Sequence, residues 1–252
     1  MSQNYKVDFA TFCYSGDIHR LYAPGQLKKQ VESNCYPFDK VKIIHQLCDP
    51  GKIEDSNFFI QYYKITHLDD VLRFLGIDLL KEQYTSSTDR AHHWKYHVVN
   101  HLYAADVSDS DYIVFADNDC WMVDQPENKS WINKGIEILE NDPDIFENHP
   151  QIFIVSPNDG EPERRTSRFS QQMFMARTEE FRNADFNQPY WDGNVHVPEG
   201  PLPEYWAMLE GRMELHCRKT GQYRYVLGPE YRYWHHNRLT EDGLFETDRN
   251  KY

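Results

Sequence analysis

Hydrophobic and polar positions along the chain switch between two periods. Apolar runs at Val7–Cys13 (VDFATFC), Val41–His45 (VKIIH), Asp111–Asp119, Gln151–Ser156, Gln172–Arg177 and Tyr223–Leu227 predict strands, with a shorter one at Asn57–Tyr63. Between them lie stretches of helical spacing. Tyr22–Cys35 has Leu27 and Val31 four apart, and His67–Tyr84 carries Leu68, Val71, Leu72 and Leu75. Thr88–Ala105, Trp131–Glu140 and a short segment from Thr178 to Arg182 continue the pattern. A last helix, Glu204–Lys219, follows Pro198, Pro201 and Pro203 and is closed by Gly221. Strand–helix alternation in the first half predicts an α/β fold with a mostly parallel central sheet and flanking helices. The second half is less regular, and its polar stretch Asn158–Ser170, with Arg164, Arg165 and Arg168, reads as a mobile loop. No repeat or low-complexity linker divides the chain, so residues 1–252 are expected to form a single domain.

One strand ends against its own chemistry. In DYIVFADNDCWM the apolar run Tyr112–Ala116 meets Asp117 and Asp119, with only Asn118 between them. A strand buried on both faces is a continuous apolar run, and open α/β sheets gather ligands beyond the carboxyl ends of such strands. Two carboxylates at close range repel unless a cation or proton intervenes. A hard divalent ion supplies that compensation and keeps positions open for phosphate oxygens. The plain alternative is a solvated turn, since Asp and Asn are common turn formers.

Composition narrows the function. The formal net charge of −13 argues against a general nucleic-acid-binding surface. Apolar content of 40% fits a folded globular chain, and no stretch approaches the ~18 apolar residues of a membrane span. The first residues lack the basic segment and apolar core of a signal peptide. Five scattered cysteines with no CxxC pair suggest reduced thiols. Together these predict a soluble, cytoplasmic protein.

The order of several stretches resembles metal-dependent glycosyltransferases of the GT-A fold. In that family an aspartate–any–aspartate motif ends a central strand and binds Mn2+ or Mg2+ on the diphosphate of a nucleotide-sugar. TFCYSGD, with Thr11, Cys13 and Tyr14, resembles the segment that receives the nucleoside. DRAHHWK, with Asp89, Arg90 and Lys95, resembles the helix start that faces the nucleotide and its phosphates. LEGRMELHCRKTG resembles a late helix in which an acidic residue precedes a glycine by eleven positions, as Glu210 precedes Gly221. YRYVLGPEYRYWHH resembles the strand, proline and terminal histidine that follow. Many inverting members carry Glu-Asp where this chain has Leu209-Glu210, which leaves the base and the stereochemical class open.

The resemblance implies a GT-A-like domain with a nucleotide-sugar half over residues 1–125 and an acceptor half over 126–252. It implies transfer of a hexosyl or pentosyl group from a UDP- or GDP-sugar to a hydroxyl of a glycan or other acceptor, with no nucleic-acid partner. Asp119 would be the direct ligand of Mn2+ or Mg2+, Asp117 and Asn118 would contact donor or metal, and His235 or His236 would complete the shell. Glu210 would be the general base of an inverting transfer, with Glu204 as its rival. Arg164, Arg165 and Arg168 would form a lid, against the plainer reading of a solvated charge cluster. Three other functions compete: a sugar nucleotidyltransferase, a haloacid-dehalogenase-like phosphohydrolase, and a non-catalytic binding module on the same fold. The first would need a Gly-rich phosphate loop after strand one, of which YSGDIHRLYAPG is a poor version. The second normally carries its DxD near the N-terminus, not mid-chain.

Overall fold

A computed structural model describes residues 5–14, 25–46, 60–65, 100–127, 129–142, 151–158, 162–166, 168–184 and 209–235. Eight strands form one sheet: β1 (Val7–Tyr14), β2 (Lys40–Gln46), β3 (Ile60–Ile65), β4 (Tyr112–Ala116), β6 (Ile152–Ser156), β7 (Arg164–Thr166), β8 (Met173–Arg177) and β9 (Tyr223–Val226). Their order is β3-β2-β1-β4-β8-β6-β9-β7. Pairings β3·β2, β2·β1, β1·β4 and β6·β9 are parallel, and only β8 and β7 run against the rest. The mostly parallel α/β architecture expected from the sequence is therefore present.

Alternation along the central strands explains the layers. Tyr112, Val114 and Ala116 of β4 face one apolar cluster, while Ile113 and Phe115 face another. The first cluster takes Leu27 and Val31 from α1 (Gln26–Glu32) and Trp131, Ile132, Ile136 and Leu139 from α2 (Trp131–Glu140). Ser130 caps α2, its hydroxyl accepting from the Ile132 N–H at 3.2 Å. The second cluster takes Leu102 and Ala105 from helical residues 100–106, Phe181 from α3 (Thr178–Asn183), and Leu209, Met213 and Cys217 from α4 (Leu209–Thr220). Helices thus cover both faces, which a sheet apolar on both sides requires. Beyond α4, Gly221 sits at φ 76, the left-handed conformation that ends a helix at little cost only for glycine.

The polar stretch expected as a mobile loop contains a strand instead. Arg164–Thr166 pairs antiparallel with β9 at the sheet edge, and the Arg165 guanidinium lies 4.9 Å from the centre of the Tyr223 ring. Backbone pairing and a cation–π contact order a segment whose side chains show no apolar alternation. A second sheet, β5 (Cys120–Met122) with β10 (Tyr233–His235), was not expected; Asp119 lies in the turn before β5, not in a strand that runs through it.

Beneath the sheet, Lys42 of β2 and Asp8 of β1 form a buried pair at 2.5 Å, with side chains 0% and 1% exposed. Ser108 Oγ donates to the same Asp8 oxygen at 2.6 Å. Desolvation pushes the Lys42 pKa down, while the bond to Asp8 opposes it. Removing one partner strands the other's charge. Lys42→Met is expected to cost about 3–5 kcal/mol, and Lys42→Met with Asp8→Leu to recover much of that loss. Urea unfolding would show this as two unequal midpoints; a single variant as stable as the parent would contradict it.

Candidate functional site

Strand β4 stops at Ala116 because the next residues fold back. The Asp117 N–H donates to Gln172 O at 2.8 Å, and the Cys120 N–H donates to Asp117 O at 3.0 Å. The second bond closes a four-residue turn with Asn118 and Asp119 at its centre, where short polar side chains are at home. The turn is not solvated: Asn118 is 5% and Asp119 9% exposed. A side chain from α1 clamps it, Gln30 Nε2 donating to Asp117 O at 2.6 Å and to Cys120 O at 3.0 Å. Burying an acidic turn at a sheet's carboxyl end costs free energy that a purely structural turn has no reason to bear.

From this turn β5 runs into the antiparallel ladder with β10, whose register sets His235 opposite Cys120 and Tyr233 opposite Met122. His235 Nε2 consequently lies 3.4 Å from Asp119 Oδ1. Cys120 Sγ lies 3.9 Å from the same oxygen, and donor atoms of Asp119, Cys120 and His235 all fall within 4.8 Å of one another. Burial, and then the charges of Asp117 and Asp119, push the Cys120 thiol well above its ordinary pKa. A carboxylate, an imidazole and a sulfur around one point form a donor set that fits a divalent cation. Asp117 is less buried and sits at the turn's first position.

The remaining carboxylate comes from α4. Glu210 stands in the first turn of α4, half-buried. Its Oε2 is buried and has no hydrogen-bond partner among the described residues. Burial pushes its pKa up, against the backbone groups of Glu210 and Gln171 and the Arg224 charge. Gln172 O accepts from the Asp117 N–H, and the Gln171 backbone is close enough to Glu210 to oppose the rise in its pKa. Gln172 Oε1 also accepts from Tyr233 Oη at 2.9 Å, which brings β10 into the same unit. Arg218 bonds Glu214, four residues before it on α4.

No family model and no curated protein matches the chain. Among solved structures it is similar to a mannosyltransferase from Pyrobaculum calidifontis in complex with GDP-Man and Mn2+, at 11% identity and TM-score 0.49, over 91% of this chain and 56% of that one. It is similar to a CMP:2-keto-3-deoxy-manno-octonic acid synthetase complexed with CTP, at 10% identity and TM-score 0.47, over 88% of this chain and 89% of that one. It is similar to TarS of S. aureus at 11% identity and TM-score 0.44, over 91% of this chain and 60% of that one. Likenesses of this degree say nothing of chemistry, which is read from the residues above.

The sequence-predicted site residues separate by their place in the fold. Asp117, Asn118, Asp119 and His235 lie together at the carboxyl end of β4, and Glu210 stands in the first turn of α4. Thr11 joins them through the backbone, since it pairs with Ala116 in the β1·β4 register; its hydroxyl is buried, with no partner among the described residues. Cys13 and Tyr14 continue β1 beside His45 and Gln46. Arg164, Arg165 and Arg168 are exposed, the first two on edge strand β7. Asp89, Arg90, Lys95, Glu204 and His236 lie outside the described residues. Gln30, Cys120 and the Gln171-Gln172 dipeptide were not anticipated. Only Gln30 left a trace, as a polar residue one position before Val31 on an amphipathic helix.

Proposed function

We propose that the chain is a GT-A-like glycosyltransferase that moves a sugar from a UDP- or GDP-sugar to a hydroxyl acceptor with the help of a divalent cation. The observation that carries this reading is the convergence of Asp119 and His235 at 3.4 Å on the carboxyl end of β4, in a buried turn. Asp119 and His235 would hold a Mn2+ or Mg2+ ion, which when bound offsets the charge that develops on the leaving diphosphate. Asp117 and Asn118 orient the donor from the turn. Glu210 takes the proton of the acceptor hydroxyl, a role that an ionised carboxylate fills once substrate has excluded water. The nucleotide binds in residues 1–125 and the acceptor in 126–252.

Diphosphate and metal should bind synergistically. The protein offers few metal ligands, the diphosphate supplies more, and linkage requires each to tighten the other by the same factor. Calorimetry of UDP and GDP with Mn2+ and with chelator measures that factor; equal affinity in both would contradict the reading. A panel of nucleotide-sugars, scored by thermal shift and by metal-dependent release of nucleoside diphosphate, tests the activity itself. Release of inorganic pyrophosphate from a nucleoside triphosphate and a sugar would indicate nucleotidyl transfer. Binding without turnover of any donor would indicate a non-catalytic module.

A further inference from the structure

We infer that Cys120 is a third protein ligand of the metal site, and that the site therefore selects a borderline-soft ion such as Zn2+ or Co2+ over Mg2+. This rests on the metal site proposed above and exchanges its hard ion for a softer one. A buried cysteine is usually a small apolar filler, and Cys120, 0% exposed, does join the apolar cluster on its face of the sheet. Its placement distinguishes it from a filler. The β5·β10 register puts it directly opposite His235, and directly opposed residues of an antiparallel pair point to the same face. Asp119 precedes it in the chain and turns its Oδ1 toward both.

The spacings admit a tetrahedral ion, and the donor chemistry favours it over Mg2+. A tetrahedral ion with sulfur at ~2.3 Å and nitrogen and oxygen at ~2.0–2.1 Å needs donors about 3.3–3.6 Å apart. Octahedral Mg2+ with ligands at ~2.1 Å needs neighbouring donors about 3.0 Å apart. The observed 3.4 Å from imidazole to carboxylate and 3.9 Å from sulfur to carboxylate lie nearer the first geometry. Sulfur also favours Zn2+ and Co2+ over Mg2+ and Mn2+ by its softness. Binding forms a metal–sulfur bond and releases the thiol proton to solvent. The fourth position is left for a water or a donor oxygen, the pattern of catalytic rather than structural zinc.

The test uses Co2+ added alone to the full chain, followed by absorption spectroscopy and calorimetry. The expected result is stoichiometric binding with a near-ultraviolet thiolate-to-cobalt charge-transfer band. That band should vanish in Cys120→Ser and persist in Cys35→Ser, whose sulfur is exposed and outside the cluster. Cys120→Ser should weaken Zn2+ by about 10–100-fold and Mg2+ by less than ~3-fold. Co2+ bound without the band, or a band that survives in Cys120→Ser, would overturn the cysteine assignment and leave the metal site standing. No bound Co2+, Zn2+ or Mn2+ in the parent would overturn both. If Cys120→Ser does not fold, X-ray absorption of the Zn2+-loaded parent decides: a sulfur at about 2.3 Å beside imidazole supports the assignment, and a shell of oxygen and nitrogen alone refutes it.

Discussion

Asp119→Ala is expected to lower sugar transfer by roughly 10³-fold or more at saturating divalent ion while leaving the fold intact. A Lewis-acid cation contributes several kcal/mol of charge stabilisation in the transition state, and ~4 kcal/mol corresponds to about a factor of 10³ in rate. Asp119 is the residue that its neighbours converge on: His235 Nε2 and Cys120 Sγ are both placed against its Oδ1. Gln30 holds the turn through the carbonyls of Asp117 and Cys120, so the backbone does not depend on the Asp119 side chain. Removing one of two neighbouring negative charges also relieves repulsion. Stability should change by less than about 1 kcal/mol, or ~2–4 °C in Tm for a chain of this size. Turnover equal to the parent's at saturating ion would refute the metal assignment. An unfolded Asp119→Ala would make the carboxylate structural instead.

What the sequence makes legible follows from where burial dictates residue type. Strands β1, β2, β4, β6 and β8 are buried on both faces, so they appear as apolar runs; all but β4 are placed within a residue or two, and β4 ends three residues before the expected Asp119. Helix α2 shows its full extent because Trp131, Ile132, Ile136 and Leu139 mark one face and Ser130 a cap. The site is only half legible. Asp117 and Asp119 are visible because carboxylates after a buried strand violate the expected pattern. Their companions are brought in by pairings that no local pattern encodes. CWM and YWH are three residues each and carry no alternation to read, yet the ladder between them places His235 and Cys120. Edge strand β7 is equally hidden, for its side chains are exposed or nearly so. Gln172 holds the Asp117 N–H through its backbone carbonyl, a group every residue has. A polar hub of that kind has no compositional signature.

Glu210→Gln is expected to lower kcat by a factor of about 10²–10⁴, with donor and metal affinity nearly unchanged. The substitution keeps shape and volume and removes the charge that accepts the acceptor's proton. Burial has raised the Glu210 pKa above its ordinary 4.5, which moves it toward the pH at which a base works best. A general base acts when ionised, so the rate should fall as pH drops through this raised value, and that acid limb should disappear in Glu210→Gln. Stability carries an independent sign. A carboxyl whose folded pKa is raised stabilises the fold fully below its unfolded pKa and loses that contribution as pH rises through the folded one. At neutral pH the ionised Glu210 is therefore a cost, and the neutral amide should be at least as stable as the parent, with the advantage shrinking toward acid. Loss of turnover together with unchanged or raised Tm is the signature of a residue kept for chemistry rather than for packing. If Glu210→Gln transfers sugar at the parental rate and Glu204→Gln is inactive, the base belongs at the earlier glutamate. If both variants remain active, or if the product keeps the donor's anomeric configuration, a carboxylate base on this segment is the wrong mechanism.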